Sequence, residues 1–329
     1  MPIRPALPHY LQDTGTMTKL NRAPGRYVGT YGMLTLMLAL WVSFAAAFPA
    51  SAQLLPEDSG GSGDKPLLEK HAALSAALAN NAFGRPLVIE SIEGNGRITG
   101  HAYAVIDAPF ATASAAFQSP DRLCDLIILH LNTKYCRPAA QQGAAVLNVN
   151  FGKKTPQELG DTFALAFTMN VQTASPELLS VLLDAKDGPL GTSNYRIAID
   201  AVPLPGAKTF LHLRYSYGYG VAGKIAMSGY LATAGSKKVG FTKVGKGTNA
   251  GYIGGMRGAV ERNTMRYYLA IDSYLANVNK PPAEQQTARL NHWFDATEKY
   301  PEQLGEIEKD NDLSMKKAEY LRQQSDARR

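Results

Sequence analysis

GHAYAVIDAPFATASAAFQSPDRLCDL, residues Gly100 to Leu126, changes its hydrophobic period within 27 residues. Its opening belongs to a strand, Gly96 to Asp107, in which Ile98, Gly100, Ala102, Ala104 and Ile106 alternate with Thr99, His101, Tyr103 and Val105. Alternation of that kind buries one face. Ala108-Pro109 stops the strand, and two short helices follow, Pro109 to Gln118 and Pro120 to His130. Ser119 supplies an N-cap and Pro120 suits the first turn of the second helix.

Downstream, period two returns six times: Leu131 to Arg137, Ala144 to Phe151, Thr162 to Thr173, Leu178 to Asp184, Asn194 to Val202 and Lys208 to Tyr219. The last strand aligns Leu211, Leu213, Tyr215, Tyr217 and Tyr219 on one face. A long helix, Arg257 to Val278, then carries Val260, Tyr267, Ile271, Tyr274, Leu275 and Val278 in one stripe, as packing on a sheet requires. The expected architecture is α+β: seven antiparallel strands around a long C-terminal helix, spanning 96–280. A helical extension, 281–329, buries Leu290, Trp293 and Phe294 in its first part and ends in a charged helix expected to lie exposed.

Upstream, residues 66–95 read as an N-terminal helix and a connection, preceded by the Gly/Ser-rich tether 53–65. Residues 1–52 read as an export signal: Lys19, Arg22 and Arg26, an apolar run from Met33 to Phe48, then Pro-Ala-Ser-Ala ending at Ala52. The alternative is a retained anchor through residues 33–48, whose 16 residues fall short of the roughly 20 that span a bilayer. Cleavage after Ala52 implies a periplasmic or secreted protein; translation starts at Met1 or Met17. The whole chain carries a formal charge of +6, which falls to +3 once the signal leaves, so nucleic acid is not an expected partner. Two cysteines, Cys124 and Cys136, read first as a disulfide in an oxidising compartment, with two buried thiols or a metal site as alternatives.

The order strand, two short helices, six-strand meander and long helix resembles the START-like, or helix-grip, superfamily over roughly Gly96 to Val278. The quoted Gly100–Leu126 segment resembles its opening. That resemblance implies a curved sheet gripping the long helix around a cavity for lipids, sterols or polyketides. The segments beginning SKKVGFTKVG and RGAVERNTMRYYLAIDSYL are similar to a family of exported proteobacterial proteins, which implies a compartment and not an activity. The insertion Gly220 to Gly255, before the long helix, departs from the general pattern.

The candidate ligand-binding residues are Leu213, Tyr215 and Tyr217 on the last strand, with Asn263, Thr264, Tyr267 and Ile271 on the long helix. Tyrosine's apolar ring and hydroxyl suit an oily ligand with one polar end. Lys243, Lys246 and Arg257, in or beside the glycine-rich loop, are candidates for an anionic head group or a membrane surface. Arg262 and Arg266 are read as projecting away, towards solvent or a neighbouring element. Gly240 to Thr248 nearly spells a P-loop, but Gly247 stands where the hydroxyl residue should follow Lys246. The histidines lack metal-ligand spacing, and His101 and His212 take the polar phase of their strands, where solvent exposure is expected. No cofactor, metal or catalytic residue is assigned. The reading is a non-enzymatic exported protein binding a hydrophobic or amphipathic molecule such as a lipid. Its alternatives are an envelope interaction protein with a filled core, partnered through the C-terminal charged helix, and a cyclase- or hydrolase-like enzyme on the same fold.

Overall fold

Strand pairing runs between sequence neighbours except where β2 (Arg97–Ile106) meets β8 (Lys208–Tyr219). The computed structural model describes residues 63–232, 235, 237–245 and 250–327, all within the unit Pro56–Arg329. The signal segment 1–52, with its apolar stretch 33–48, tether residues 53–62 and Lys246 lie outside the described residues. Among the described residues, no helix is long and apolar enough to cross a membrane.

Helix α1 (Asp64–Ala73) begins inside the stretch read as tether, and α2 (Ser75–Ala79) follows it after a break at Leu74. Next come β1 (Leu87–Gly94) and β2 (Arg97–Ile106), joined by Asn95 and Gly96 at φ 51° and 69°. Two central residues at positive φ make a type I′ turn, whose twist matches that of antiparallel strands. Strand β1 lies in the stretch read as helix and connection, and it raises the expected seven strands to eight. Then follow α3 (Phe110–Phe117) and α4 (Pro120–Ile127), the latter capped by Ser119, whose Oγ accepts from the Arg122 amide.

The remaining strands are β3 (Thr133–Gln141), β4 (Ala144–Phe151), β5 (Phe163–Ala174), β6 (Leu179–Asp187), β7 (Thr192–Leu204) and β8 (Lys208–Tyr219). All pair antiparallel in the order β1-β2-β8-β7-β6-β5-β4-β3. The strand before the short helices thus lies beside the last strand of the meander. The insertion before the long helix forms α5 (Val221–Ala232) and a two-strand ladder of β9 (Lys243–Val244) and β10 (Gly251–Tyr252).

Helix α6 (Gly255–Ala276) packs against β1, β2 and β8. Its Val260, Leu269 and Ile271 join Ile98, Ala102, Leu211 and Leu213 in the main core. Contact is close because β2 offers a glycine: a Cβ on Gly100 would stand 2.2 Å from the Thr264 Oγ1. This is the helix-grip arrangement.

The opposite face of the sheet is covered too. Leu67 and Leu78 of α1 and α2 pack with Tyr103, Leu178, Val202 and Phe210. That cover corrects the reading of His101 and His212 as exposed. Both belong to this layer, with the His101 Nδ1 3.0 Å from the His212 Nε2 and the His212 ring 4.2 Å from that of Tyr103. Burial first, then the neighbouring His101, holds His212 well below the ordinary imidazole range.

The extension comprises α7 (Pro282–Thr297), α8 (Pro301–Leu304) and α9 (Lys309–Ala327). The last of these is not an exposed charged helix. Asp312, Lys316, Glu319 and Gln323 follow i, i+4, i+7, i+11 spacing, and all are buried. Glu319 accepts from the Lys134 Nζ at 2.9 Å and the Lys316 Nζ at 2.7 Å, while Gln323 accepts from the Cys136 amide at 3.1 Å. These four residues are committed within the chain, where α9 covers edge strand β3 and removes an aggregation surface, while Asp310 and Lys317 of the same helix stay exposed. A disulfide between Cys124 of α4 and Cys136 of β3, Cα atoms 5.1 Å apart, ties the same strand from the other side. Closing that loop contributes about 3 kcal/mol in the chain-entropy model.

Candidate functional site

Alternation along β8 and β7 brings aromatic rings to the part of the α6-facing side of the sheet that the helix does not fill. Tyr217 lies 5.2 Å from Tyr195, Tyr195 lies 6.5 Å from Tyr215, and Tyr215 lies 5.3 Å from Tyr267 of α6. The His130 ring continues the series 4.6 Å beyond Tyr267. These residues wall a cavity of about 680 Å³. Phe163, Leu165 and Phe167 of β5 supply apolar lining, and Met227 reaches it from α5.

The wall carries hydroxyls. Tyr215, Tyr217 and Tyr267 are 7%, 4% and 4% exposed, yet none has a hydrogen-bond partner for its hydroxyl among the described residues. Burial first, then the neighbouring Tyr195, pushes all three above the ordinary phenol range. They are neutral at physiological pH and free to donate or accept. The rings are buried while the hydroxyls remain accessible from the cavity, where a ligand's polar group can meet them. His130 also lines the cavity: its Nδ1 accepts from the Asn132 amide at 3.2 Å, while its buried Nε2 has no partner among the described residues. Burial, then the charge of Arg266, holds it neutral.

One end of the cavity is cationic. Lys153, Lys154, Arg262 and Arg266 line it beside the carboxylates of Glu306 and Asp161. Glu306, in the link between α8 and α9, accepts from the Lys154 Nζ at 2.6 Å and the Arg266 Nη2 at 3.0 Å, with the Lys238 Nζ at 3.7 Å. Burial alone would raise the Glu306 carboxyl, but the Lys154 hydrogen bond and charge, then Arg266 and Lys238, bring it below its ordinary value. Lys154 is pushed down to about 8, first by burial and then by Arg266, against the pull of Glu306. Positive field outweighs negative at this end.

Of the residues expected to bind a ligand, Tyr215, Tyr217, Asn263 and Tyr267 line the cavity, and Leu213, Thr264 and Ile271 do not. Leu213 and Ile271 are core, and the Thr264 hydroxyl donates to the Val260 carbonyl at 2.8 Å while packing on Gly100. Of the cations expected at the mouth, Lys243 and Arg257 are not in the lining. Lys243 is exposed on β9, and the Arg257 Nε donates to the Ser91 Oγ at 3.0 Å. Their place is taken by Arg262 and Arg266, which are 3% and 2% exposed and face the cavity rather than solvent.

Sequence reasoning also missed Glu261. Fully buried on α6, it accepts from the amides of Phe241 at 2.6 Å and Thr242 at 2.9 Å, and from the Ser91 hydroxyl at 2.6 Å. It pins the glycine-rich loop to α6 and β1, and the Gly240–Gly258 contact lets the backbones meet. A carboxylate four residues after Arg257, on a helix that follows a glycine-rich loop, was the available signal. No group of three His, Cys, Asp or Glu side chains able to hold a metal occurs among the described residues.

No family model and no curated relative matches the chain. Among solved structures it is similar to human StAR-related lipid transfer protein 5, with a TM-score of 0.35, 10% identity, and 66% of this chain and 100% of that one covered. Norcoclaurine synthase from Thalictrum flavum gives 0.30 and 16% identity over 45% of this chain and 80% of that one. The Zhui aromatase/cyclase from Streptomyces gives 0.30 and 11% over 61% and 93%. Likenesses at such scores say nothing about activity. The chain's own strand order and its long helix across β1, β2 and β8 give it the START-like helix-grip fold.

Proposed function

We propose that the mature chain is an exported, non-enzymatic protein that binds a hydrophobic or amphipathic small molecule, of which a lipid is one class, between the sheet and α6. The observation that carries this is the cavity itself: about 680 Å³, walled by aromatic and aliphatic side chains, among them three largely buried tyrosines. That volume falls in the range of small-molecule sites, and it favours a hollow interior over a core filled by the protein's own side chains. A mostly apolar wall with a few convergent polar groups orients an oily ligand without demanding ionic pairing along its length.

The test is a titration with N-phenyl-1-naphthylamine, a neutral dye that fluoresces in apolar surroundings. One dye per chain, displaced by envelope lipid extract, supports the reading; no saturable binding overturns it. For export, the mature protein recovered from the envelope should begin at Gln53, and an intact N-terminus in the membrane fraction would favour the anchor at residues 33–48.

One observation favours enzymatic chemistry as a second reading. Lys154 is held at about 8 within the lining, where a lysine can act as a base or amine nucleophile near neutral pH. Trapping a Lys154 adduct by borohydride reduction in the presence of an aldehyde would support it.

A further inference from the structure

Glu306 is foreign to the cavity it lines. It belongs to the link between α8 and α9, outside the helix-grip domain, and its carboxylate projects among cations from two other elements. Lys154, after β4, and Arg266, on α6, grip it at 2.6 and 3.0 Å, with the Lys238 Nζ at 3.7 Å. Arg262 lies one turn from Arg266 on the same helix, 3% exposed and lining the same end. A carboxylate on a flexible stem, bound by an arginine and a lysine at the end of an apolar cavity, has the chemistry of an acid head group.

We propose that the ligand is an anionic amphiphile, and that its acid group displaces Glu306 from Lys154 and Arg266. This rests on the reading of the cavity as a ligand site. The shared chemistry is an oxyacid attached to an apolar body: the body occupies the wall of Phe163, Leu165, Phe167 and Tyr217, and the acid meets the cations. Guanidinium and ammonium groups in a desolvated site favour such an oxyanion, because charge-assisted hydrogen bonds are stronger there than in water. Burial first, and then the charge of Arg266, lowers both Lys154 and His130, so an anion seated among these cations favours their charged forms. Glu306 occupies these cations when the cavity is empty and sets the threshold that an entering acid must exceed.

Two dyes with one body isolate the acid. 1-Anilinonaphthalene-8-sulfonate is N-phenyl-1-naphthylamine with a sulfonate added, so the ratio of their affinities measures the contribution of the charge. Glu306→Gln is expected to raise the ratio in favour of the sulfonate by about tenfold, and Lys154→Met to lower it by a similar factor. Lys243→Ala, outside the lining, leaves the ratio unchanged. An equal change for both dyes in Glu306→Gln means that Glu306 only holds the extension in place, and overturns the proposal. If that variant does not fold, an equal change for both dyes in Lys154→Met overturns it instead. Inorganic phosphate that displaces the sulfonate dye better than sodium chloride of equal ionic strength identifies a free-anion site, and also overturns it. Saturable binding of neither dye defeats the cavity reading itself, whereas tight binding of both with an unaltered ratio in the variants defeats this inference alone.

Discussion

Replacing Gly100 by alanine tests whether α6 is seated as closely on the sheet as the cavity requires. A Cβ there would stand 2.2 Å from the Thr264 Oγ1, about 1.2 Å inside ordinary contact, and 3.3 Å from the Thr264 Cβ and the Val260 carbonyl oxygen. The sheet cannot yield easily, because Gly100 is paired on both sides, with Ser91 of β1 and Tyr215 of β8. Rotating Thr264 away sacrifices its bond to the Val260 carbonyl and still leaves the tight contacts. Overpacking of this kind costs about 1–3 kcal/mol. Urea unfolding with the disulfide intact, followed through Trp293, which is buried against α6 and donates to the Arg266 carbonyl, reads that loss directly. Adding Thr264→Ala should recover much of it, with a coupling of at least about 0.5 kcal/mol between the two sites. Dye affinity should fall in Gly100→Ala as well, because Tyr267 and Arg266 move with the helix. A Gly100→Ala protein as stable as its parent, or a loss untouched by Thr264→Ala, refutes the close seating.

Other expectations concern the edges of the same architecture. Glu319→Gln weakens the hold on two buried ammonium groups and should cost about 3–5 kcal/mol in urea unfolding, the range for breaking a buried pair. Reducing the Cys124–Cys136 bond should lower stability by about 3 kcal/mol, read as the difference between unfolding curves with and without reductant. Tyr217→Ala should weaken binding of the neutral dye more than Lys243→Ala does, since one removes a buried wall and the other an exposed, screened charge. Lys154 is held at about 8 against an ordinary 10.5, faced by Arg262, Arg266 and Glu306. The unfolded chain therefore binds more protons between those values, so stability contributed by this group rises with pH across that window. Lys154→Met should flatten that rise in a pH series of thermal melts.

Much of this was legible in the residues. Period two in the meander, the stripe on α6 and the Ser119-Pro120 helix start reflect local geometry, and local geometry is what a sequence writes most plainly. Strand β1 was equally legible: Asn95-Gly96 between Leu87, Ile89 and Ile98 is a strong hairpin signal, and only its nearness to a helical stretch obscured it. The buried charges were a different matter. Arg262, Arg266, Lys134 and Lys316 look solvated in sequence because burying them costs several kcal/mol each without partners. The acids that hold Arg266 and Lys134, Glu306 and Glu319, come from an extension 40 or more residues away, whose docking no local period encodes. Lys316 is buried only because that extension docks on the strand beside it. His101 and His212 fail for the same reason: their exposure was inferred from one buried face, and α1 and α2 cover the other.

The central claim is that the space between the aromatic wall and α6 receives a ligand. A crystal structure of the mature chain grown with N-phenyl-1-naphthylamine tests it most directly. The naphthyl ring is expected inside the lined cavity, against Tyr215 and Tyr217, with its edge towards Tyr267. A dye bound only on the outer surface, with Tyr217 and Tyr267 closed onto Phe167 so that no space remains, contradicts it.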